Sequence, residues 1–161
     1  MKIMTIRNIQ LKLHFSTIFI IGLIGYSMAS FYFAVTNGTA QILELILISA
    51  AAGGLLLISI LVHEISHSLV AQKYGIQVKE IELYIFGGAA KITGTPKKPK
   101  EEIAISLAGP LSSLAIGGVL LGILFMPFQI PIMFQALLFY TGFSNISRSE
   151  ERRVGKECAT G

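Results

Sequence analysis

The 161-residue chain contains no aspartate, no tryptophan and a single cysteine, and charged residues make up only 14% of it. One thiol cannot close an intramolecular disulfide, so a fold held together by internal disulfides is excluded. An ordinary soluble domain carries about 25% charged residues, whereas this chain is 53% hydrophobic. The shortage of charge, more than the net charge of +4, therefore indicates a membrane protein.

Long apolar stretches account for this composition. Residues 15–35 and 103–126 carry no charge, and residues 42–62 carry only Glu44. A helix needs about 20 apolar residues to cross the hydrocarbon core of a bilayer. Residues 132–146 begin a fourth, shorter stretch. We therefore predict an all-α polytopic membrane protein with a bundle of about four transmembrane helices.

Two polar-apolar segments lie outside the predicted spans. Residues 76–94 alternate apolar and polar side chains and contain glycine pairs, which predicts strands joined by turns. Residues 3–14 alternate more loosely and fit either a short strand pair or an interfacial segment. We expect a small membrane-associated β-sheet here, followed by a basic linker at 96–100. Within the third span, Gly109-Pro110 predicts a kink or a close contact between helices.

The distribution of Lys and Arg predicts the orientation of the spans. Three basic residues precede the first span and six fall between residues 73 and 100, whereas the loops at 36–41 and 127–131 contain none. Cytoplasmic loops are the ones enriched in Lys and Arg. We therefore expect a multi-pass protein of the cell membrane whose amino terminus and residues 73–101 lie in the cytoplasm. This pattern is that of loops flanking spans, so nucleic acid is not an expected partner.

The second span runs directly into His63-Glu64-Ile65-Ser66-His67. Residues four apart lie on one face of a helix, so His63 and His67 can direct their imidazoles at one ion. A Glu after the first His completes the zincin pattern, in which the histidines bind Zn²⁺ and the Glu is the general base of peptide hydrolysis. Polar and ionisable residues at the end of a membrane span are costly, which favours a functional role for them. The sequence therefore predicts His63 and His67 as ligands of Zn²⁺ and Glu64 as the catalytic residue.

The segments HEISH, FGGAAKITGTP and ISLAGPLSSL, in this order and spacing, resemble the site-2 protease family of intramembrane zinc metalloproteases, peptidase family M50. The resemblance covers roughly residues 8–147. It implies a zinc-dependent endopeptidase that cleaves membrane-anchored protein substrates within the lipid bilayer, in regulated intramembrane proteolysis. It also places the glycine pair in a sheet near the active site. We expect residues Phe86, Gly87, Gly88 and Ala89 to bind an unwound substrate through an exposed strand edge.

One departure from the family is informative. The family takes its third zinc ligand from an Asp in an Asn-Pro-x-Asp-Gly-like motif, and this chain has no Asp. Asn145 is followed by neither Pro nor Asp-Gly, so we do not identify it with that motif, and His14 precedes the first span. We interpret residues 1–147 as a site-2-protease-like transmembrane catalytic core that is incomplete at its C-terminal end. This fragment is expected to bind zinc weakly and to cleave poorly.

Residues 148–161 are abruptly polar and resemble the translation of a sequencing-library adapter. We interpret them as a non-native tail; the alternative is a genuine basic C-terminal tail. Two functional alternatives to the protease also stay open, namely a non-catalytic membrane scaffold and a metal transporter that uses the histidine pair. No glycine-rich loop is followed by the Lys-Ser/Thr of a nucleotide site, so no nucleotide is expected.

Overall fold

The structure is a computed structural model in which residues 2–6, 9–84 and 87–149 are described, with side chains described for 9–83 and 94–148. It contains four helices and four strands in these ranges. The strands are β1 (Lys2–Ile6), β2 (Ile9–Leu13), β3 (Gln77–Tyr84) and β4 (Gly87–Thr93). The helices are α1 (Ser16–Val35), α2 (Ile42–Lys73), α3 (Pro99–Leu124) and α4 (Ile132–Ser149).

The four helices coincide with the four predicted spans. By length and composition, α1, α2 and α3 could each cross a membrane; within the described residues α4 is not among these candidates. Large apolar side chains on all three helices point outward and are exposed, among them Phe19, Ile46 and Leu111. In water such surfaces would be unfavourable, but they suit contact with lipid chains. The chain is therefore a helical, multi-pass membrane protein, as the composition indicated.

Helix α2 is unusually long. Its 32 residues extend about 48 Å at 1.5 Å per residue, compared with about 30 Å for the hydrocarbon core. Its amino terminus is capped by the Glu44 carboxylate, which accepts a hydrogen bond from the Gln41 backbone N–H at 3.1 Å. This contact gives the one charged residue of the predicted second span a capping role. Counted from this end, a length of about 20 residues reaches the His63–His67 segment.

Helix α3 begins earlier than the sequence indicated. The predicted linker at 96–100 is wrong at its C-terminal end, because the helix starts at Pro99 with Lys98 as its N-cap. Proline is favoured in the first helical position, where its missing N–H costs nothing. Glu101 and Glu102 in the first turn add favourable interactions with the helix dipole. Local helix-start signals therefore outweighed the Pro-Lys composition that predicted a linker.

The strands form one sheet in the order β1-β2-β3-β4. The pairs β1–β2 and β3–β4 are antiparallel, and β2 pairs with β3 in parallel, with Leu11 opposite Ile81. The amino-terminal segment is thus a strand pair, as the first of the two alternatives predicted. Because β2 and β3 are adjacent, the segment before α1 and the segment after α2 lie at the same end of the helical bundle.

The sheet is fastened to that end of the bundle by apolar packing. The cluster between sheet and helix includes Ile9 and Leu11 of β2, Ile81 of β3, and Ile60 and Ala71 of α2. The Lys12 ammonium forms an ion pair with the Glu80 carboxylate across β2 and β3. A second cluster, centred on Met28, Tyr32 and Ile48, holds α1, α2 and α4 together at the other end.

Candidate metal centre

The two histidines lie on α2 (Ile42–Lys73), past the middle of the helix. Their Nε2 atoms are 3.2 Å apart and their rings are nearly perpendicular, at 76°. Two nitrogen ligands of one tetrahedral zinc ion, each about 2.05 Å from the metal, are separated by about 3.3 Å. The observed separation therefore fits two ligands of a single ion. His67 is only 6% exposed and therefore buried, whereas His63 is partly buried.

The other ring nitrogens are held by α3. Nδ1 of His67 lies 2.6 Å from the Ile105 carbonyl oxygen, and Nδ1 of His63 lies 2.9 Å from the Ser113 hydroxyl. A carbonyl oxygen only accepts, so Nδ1 of His67 donates, and the neutral ring keeps an Nε2 lone pair for a metal. Histidine ligands in metal sites are commonly oriented in this way by a hydrogen bond at the opposite ring nitrogen.

The facing surfaces of the two helices follow one spacing. Ile105, Gly109 and Ser113 lie four residues apart on α3 and share one face, opposite the face of α2 that carries His63 and His67. The sequence prediction missed Ile105 and Ser113 as histidine partners. The signal was present in part, because the predicted close contact at Gly109-Pro110 marks this same face.

Glu64 and Ser66 differ in their surroundings. Glu64 is 8% exposed and buried next to the first histidine along α2. Burial of an ionisable carboxyl is costly unless the group is hydrogen-bonded or paired, so Glu64 marks this part of α2 as a polar site. The Ser66 hydroxyl donates to the Val62 carbonyl of its own helix at 2.7 Å. Ser66 is therefore engaged in helix geometry and is not presented as a nucleophile.

A buried asparagine lies one helical turn away from the histidine pair. The Asn145 side chain of α4 is fully buried and donates from Nδ2 to the Ser59 hydroxyl of α2 at 3.2 Å and to the Thr141 carbonyl at 2.8 Å. Ser59 precedes His63 by four residues, so this hydrogen bond lies on the histidine face of α2. Within the described ranges, no group of three or more His, Cys, Asp or Glu residues is placed to bind one metal ion.

The predicted substrate-binding residues fall partly within the described structure. Phe86 lies outside the described residues, whereas Gly87, Gly88 and Ala89 form the start of β4. They pair with Tyr84, Leu83 and Glu82 of β3, and β4 has no second neighbour in the described sheet. Strand β4 also approaches α2. An edge strand therefore lies close to the helix that carries the histidine pair.

These features define a helical membrane protein with a histidine pair suited to one metal ion, and comparison with known proteins identifies its family. The profile of peptidase family M50 matches residues 51–156. The solved site-2 protease of Methanocaldococcus jannaschii superposes with a TM-score of 0.59 at 28% identity, covering 92% of this chain and 70% of that one. The chain belongs to peptidase family M50, the site-2 protease family.

Curated relatives agree with this assignment. A zinc metalloprotease of Methanocaldococcus jannaschii is 41% identical over 92 residues, which are 57% of this chain and 26% of that protein. Rip3 of Mycobacterium tuberculosis, whose name assigns zinc metalloprotease activity provisionally, is 34% identical over 113 residues, 69% of this chain and 28% of Rip3. The chain thus spans between a quarter and a third of the length of these two relatives.

Proposed function

We propose that this chain is the front part of the catalytic core of a zinc-dependent intramembrane endopeptidase. One observation carries the proposal: the Nε2 atoms of His63 and His67 converge to 3.2 Å while both Nδ1 atoms are engaged by α3. Two imidazoles that are hydrogen-bonded by α3 at Nδ1, and whose Nε2 atoms are separated as two ligands of one zinc ion are, form a preoriented pair of metal ligands. Membership of family M50 and the names of the relatives as zinc metalloproteases support the same reading.

The residues divide the chemistry among them. His63 and His67 would hold the zinc through Nε2, and bound zinc would polarise the scissile carbonyl and lower the pKa of a water molecule towards about 7. Glu64 accepts the proton of the attacking water and returns it to the leaving nitrogen as the peptide bond breaks. No covalent intermediate with the protein is needed.

The third zinc ligand is expected from residues that follow the core described here. Among the described residues, no third His, Cys, Asp or Glu is placed to bind one ion together with the two histidines. We propose that residues 1–147 are an incomplete core and that residues 148–161 are a non-native tail. The native reading frame beyond Ser147 tests this directly: an Asp-bearing motif is expected there, and its absence would count against the catalytic reading.

The orientation proposed from the charges has structural support. Since β2 and β3 are paired, the basic segments before α1 and after α2 share one end of the bundle. This agrees with two crossings between them, and the rule of basic cytoplasmic loops makes that end cytoplasmic. The histidine pair, late in α2, would then open towards the cytoplasm. The enzyme is proposed to lie in the cell membrane.

The proposed substrate is a membrane-anchored protein that unwinds locally and pairs with β4. A helical peptide bond is shielded by its own hydrogen bonds, whereas a strand added to an open edge exposes its backbone. Strand β4 offers such an edge close to α2. Proline replacements from Phe86 to Ala90 in the full-length protein should weaken cleavage and leave zinc content intact. Unchanged cleavage would reject this docking mode.

The decisive experiment for the proposed function is Glu64→Gln in the full-length protein. The amide keeps the shape of the carboxylate but cannot accept the proton, so cleavage should fall by about 100- to 10,000-fold. Zinc content should stay unchanged, because Glu64 is not a proposed ligand. If a metal-dependent activity other than cleavage survives in Glu64→Gln with the metal still bound, a metal transporter or a non-catalytic scaffold becomes the better interpretation.

A further inference from the structure

Gly109 on α3 faces the two histidines directly. A Cβ atom built on Gly109 would lie 2.6 Å from Nε2 of His63 and closer still to Nε2 of His67. These are the two nitrogens proposed to bind the metal. Gly109 is buried, so this face of α3 closes the site on the side opposite α2.

The position of that missing Cβ coincides with the space a metal needs. A zinc ion lies about 2.1 Å from each coordinating nitrogen, so with the nitrogens 3.2 Å apart any such position is within about 3 Å of the Cβ. A methyl group would fill the side of the nitrogen pair that faces α3 and would exclude an ion from it. The imidazoles would have to rotate to avoid the methyl group, and Nε2 of His63 and His67 would then no longer converge.

Other glycines of α3 behave differently. A Cβ on Gly118 or Gly122 would meet nothing within 4 Å, so those positions tolerate a side chain. A Cβ on Gly117 would lie 2.8 Å from the Gly142 carbonyl oxygen, which makes Gly117 a helix-packing residue for α4. At Gly109 the nearest atoms all belong to the two imidazoles. The absence of a side chain there is tied to the histidines and not to the approach of another backbone.

We propose that Gly109 is a metal-site residue, whose missing side chain leaves the space in which an ion binds between Nε2 of His63 and Nε2 of His67. The inference rests on the proposed function, because it takes the histidine pair as the ligands. It makes α3 a wall of the site, with Ile105 and Ser113 holding the rings on either side of Gly109.

The test compares Gly109→Ala, Gly118→Ala and Gly117→Ala in the full 161-residue chain, purified in detergent. Each protein is titrated with Cu²⁺, which binds nitrogen ligands more tightly than Zn²⁺, and electron paramagnetic resonance reports imidazole coordination. Zn²⁺ affinity is measured by competition with a chelating dye. Thermal unfolding without metal records stability separately. His63→Ala defines which part of the binding belongs to this site.

The expected result separates affinity from stability. Gly118→Ala should bind both ions as the unaltered chain does. Gly117→Ala should unfold at a lower temperature yet keep the His63-dependent Cu²⁺ spectrum. Gly109→Ala should lose at least tenfold in affinity for both ions and lose that spectrum. Its unfolding without metal, measured beside that of Gly117→Ala, distinguishes a loss of metal affinity from a loss of stability.

Three outcomes would overturn the inference. The inference is wrong if Gly109→Ala keeps its metal affinity within twofold of the unaltered chain. It is also wrong if Gly117→Ala loses metal affinity in the same proportion as Gly109→Ala. A Gly109→Ala chain that fails to fold without metal would also contradict it, since the space would then be needed for packing. If metal binding by the unaltered chain does not depend on His63, the proposed function itself fails. If metal binding depends on His63 but its affinity is unchanged by Gly109→Ala, only this inference is refuted and the proposed function stands.

Discussion

Ser113→Ala is the perturbation that examines the hydrogen bonds behind the histidines most directly. Ser113 is fully buried on α3, and its hydroxyl lies 2.9 Å from Nδ1 of His63. Removing the hydroxyl leaves Nδ1 of the partly buried His63 facing a methyl group. The ring of His63 then loses the contact that fixes its orientation and, in the neutral form, the position of its proton.

The size of the effect follows from the kind of partner. Loss of a partner behind a metal-binding histidine typically lowers metal affinity by 10- to 100-fold. A serine hydroxyl is neutral and makes one hydrogen bond, so the lower end is expected, about tenfold or about 1.4 kcal/mol. His67 keeps its bond to the Ile105 carbonyl. The remaining ligand therefore stays in place, and binding should weaken without vanishing.

The assay is Zn²⁺ affinity by dye competition, with Ser112→Ala as the matched control. The Ser112 hydroxyl donates to the Gly109 carbonyl of its own helix at 2.7 Å, so its loss changes α3 locally without touching the Nδ1 atom of His63. Ser112→Ala should leave affinity within about twofold, well under the 1.4 kcal/mol of a tenfold change. Equal affinities for Ser113→Ala and the unaltered chain would refute the reasoning, as would an equal loss in the control.

Three further predictions concern the bundle, each checked by thermal or chemical unfolding in detergent. Gly117→Ala should lower the free energy of unfolding by about 1–3 kcal/mol, because its Cβ would lie 2.8 Å from the Gly142 carbonyl oxygen. Gly118→Ala should change the free energy of unfolding little, since a Cβ there meets nothing within 4 Å. The reverse order of stability would contradict the α3–α4 packing. Thr17→Val should lower the free energy of unfolding by about 0.5–1.5 kcal/mol, since the Thr17 hydroxyl donates to the buried Leu83 carbonyl at 2.8 Å. The Leu83 carbonyl still accepts from the His14 backbone N–H in the variant. A loss of stability well above this range would mean that the two donors are not interchangeable. Asn145→Ala should cost about 1–3 kcal/mol, because it removes two buried hydrogen bonds to Ser59 and Thr141; an unchanged unfolding midpoint would show that the Asn145 amide does not hold α4 against α2.

The helices were the most predictable part of the fold. Uncharged stretches long enough to cross a bilayer are set by composition alone, because lipid leaves the backbone no partner except its own helix. The start of α3 at Pro99 was misplaced because proline fits both a linker and a first helical turn. The amino-terminal strand pair stayed undecided, since a five-residue strand such as β2 acquires its partner β3 from residues about 70 positions later.

The candidate site divides in the same way. The spacing of His63 and His67 determined that their rings share one face of α2, because a helix repeats every 3.6 residues. The position of Glu64 beside His63 is part of the same motif. The family resemblance, which rested on HEISH and the two segments after it, is confirmed. The expected Asp ligand and the roles of residues 86–89 stay predictions.

The sequence by itself determined that this protein spans a membrane and that two histidines and a glutamate lie together near the end of one long helix. Only the tertiary structure determined which residues contact the Nδ1 and Nε2 atoms of the histidines. Ile105, Gly109 and Ser113 reach the histidines because α3 packs against α2, 38 residues or more along the chain. A local pattern encodes which residues share a helix face, but the docking of two helices depends on the packing of the whole bundle.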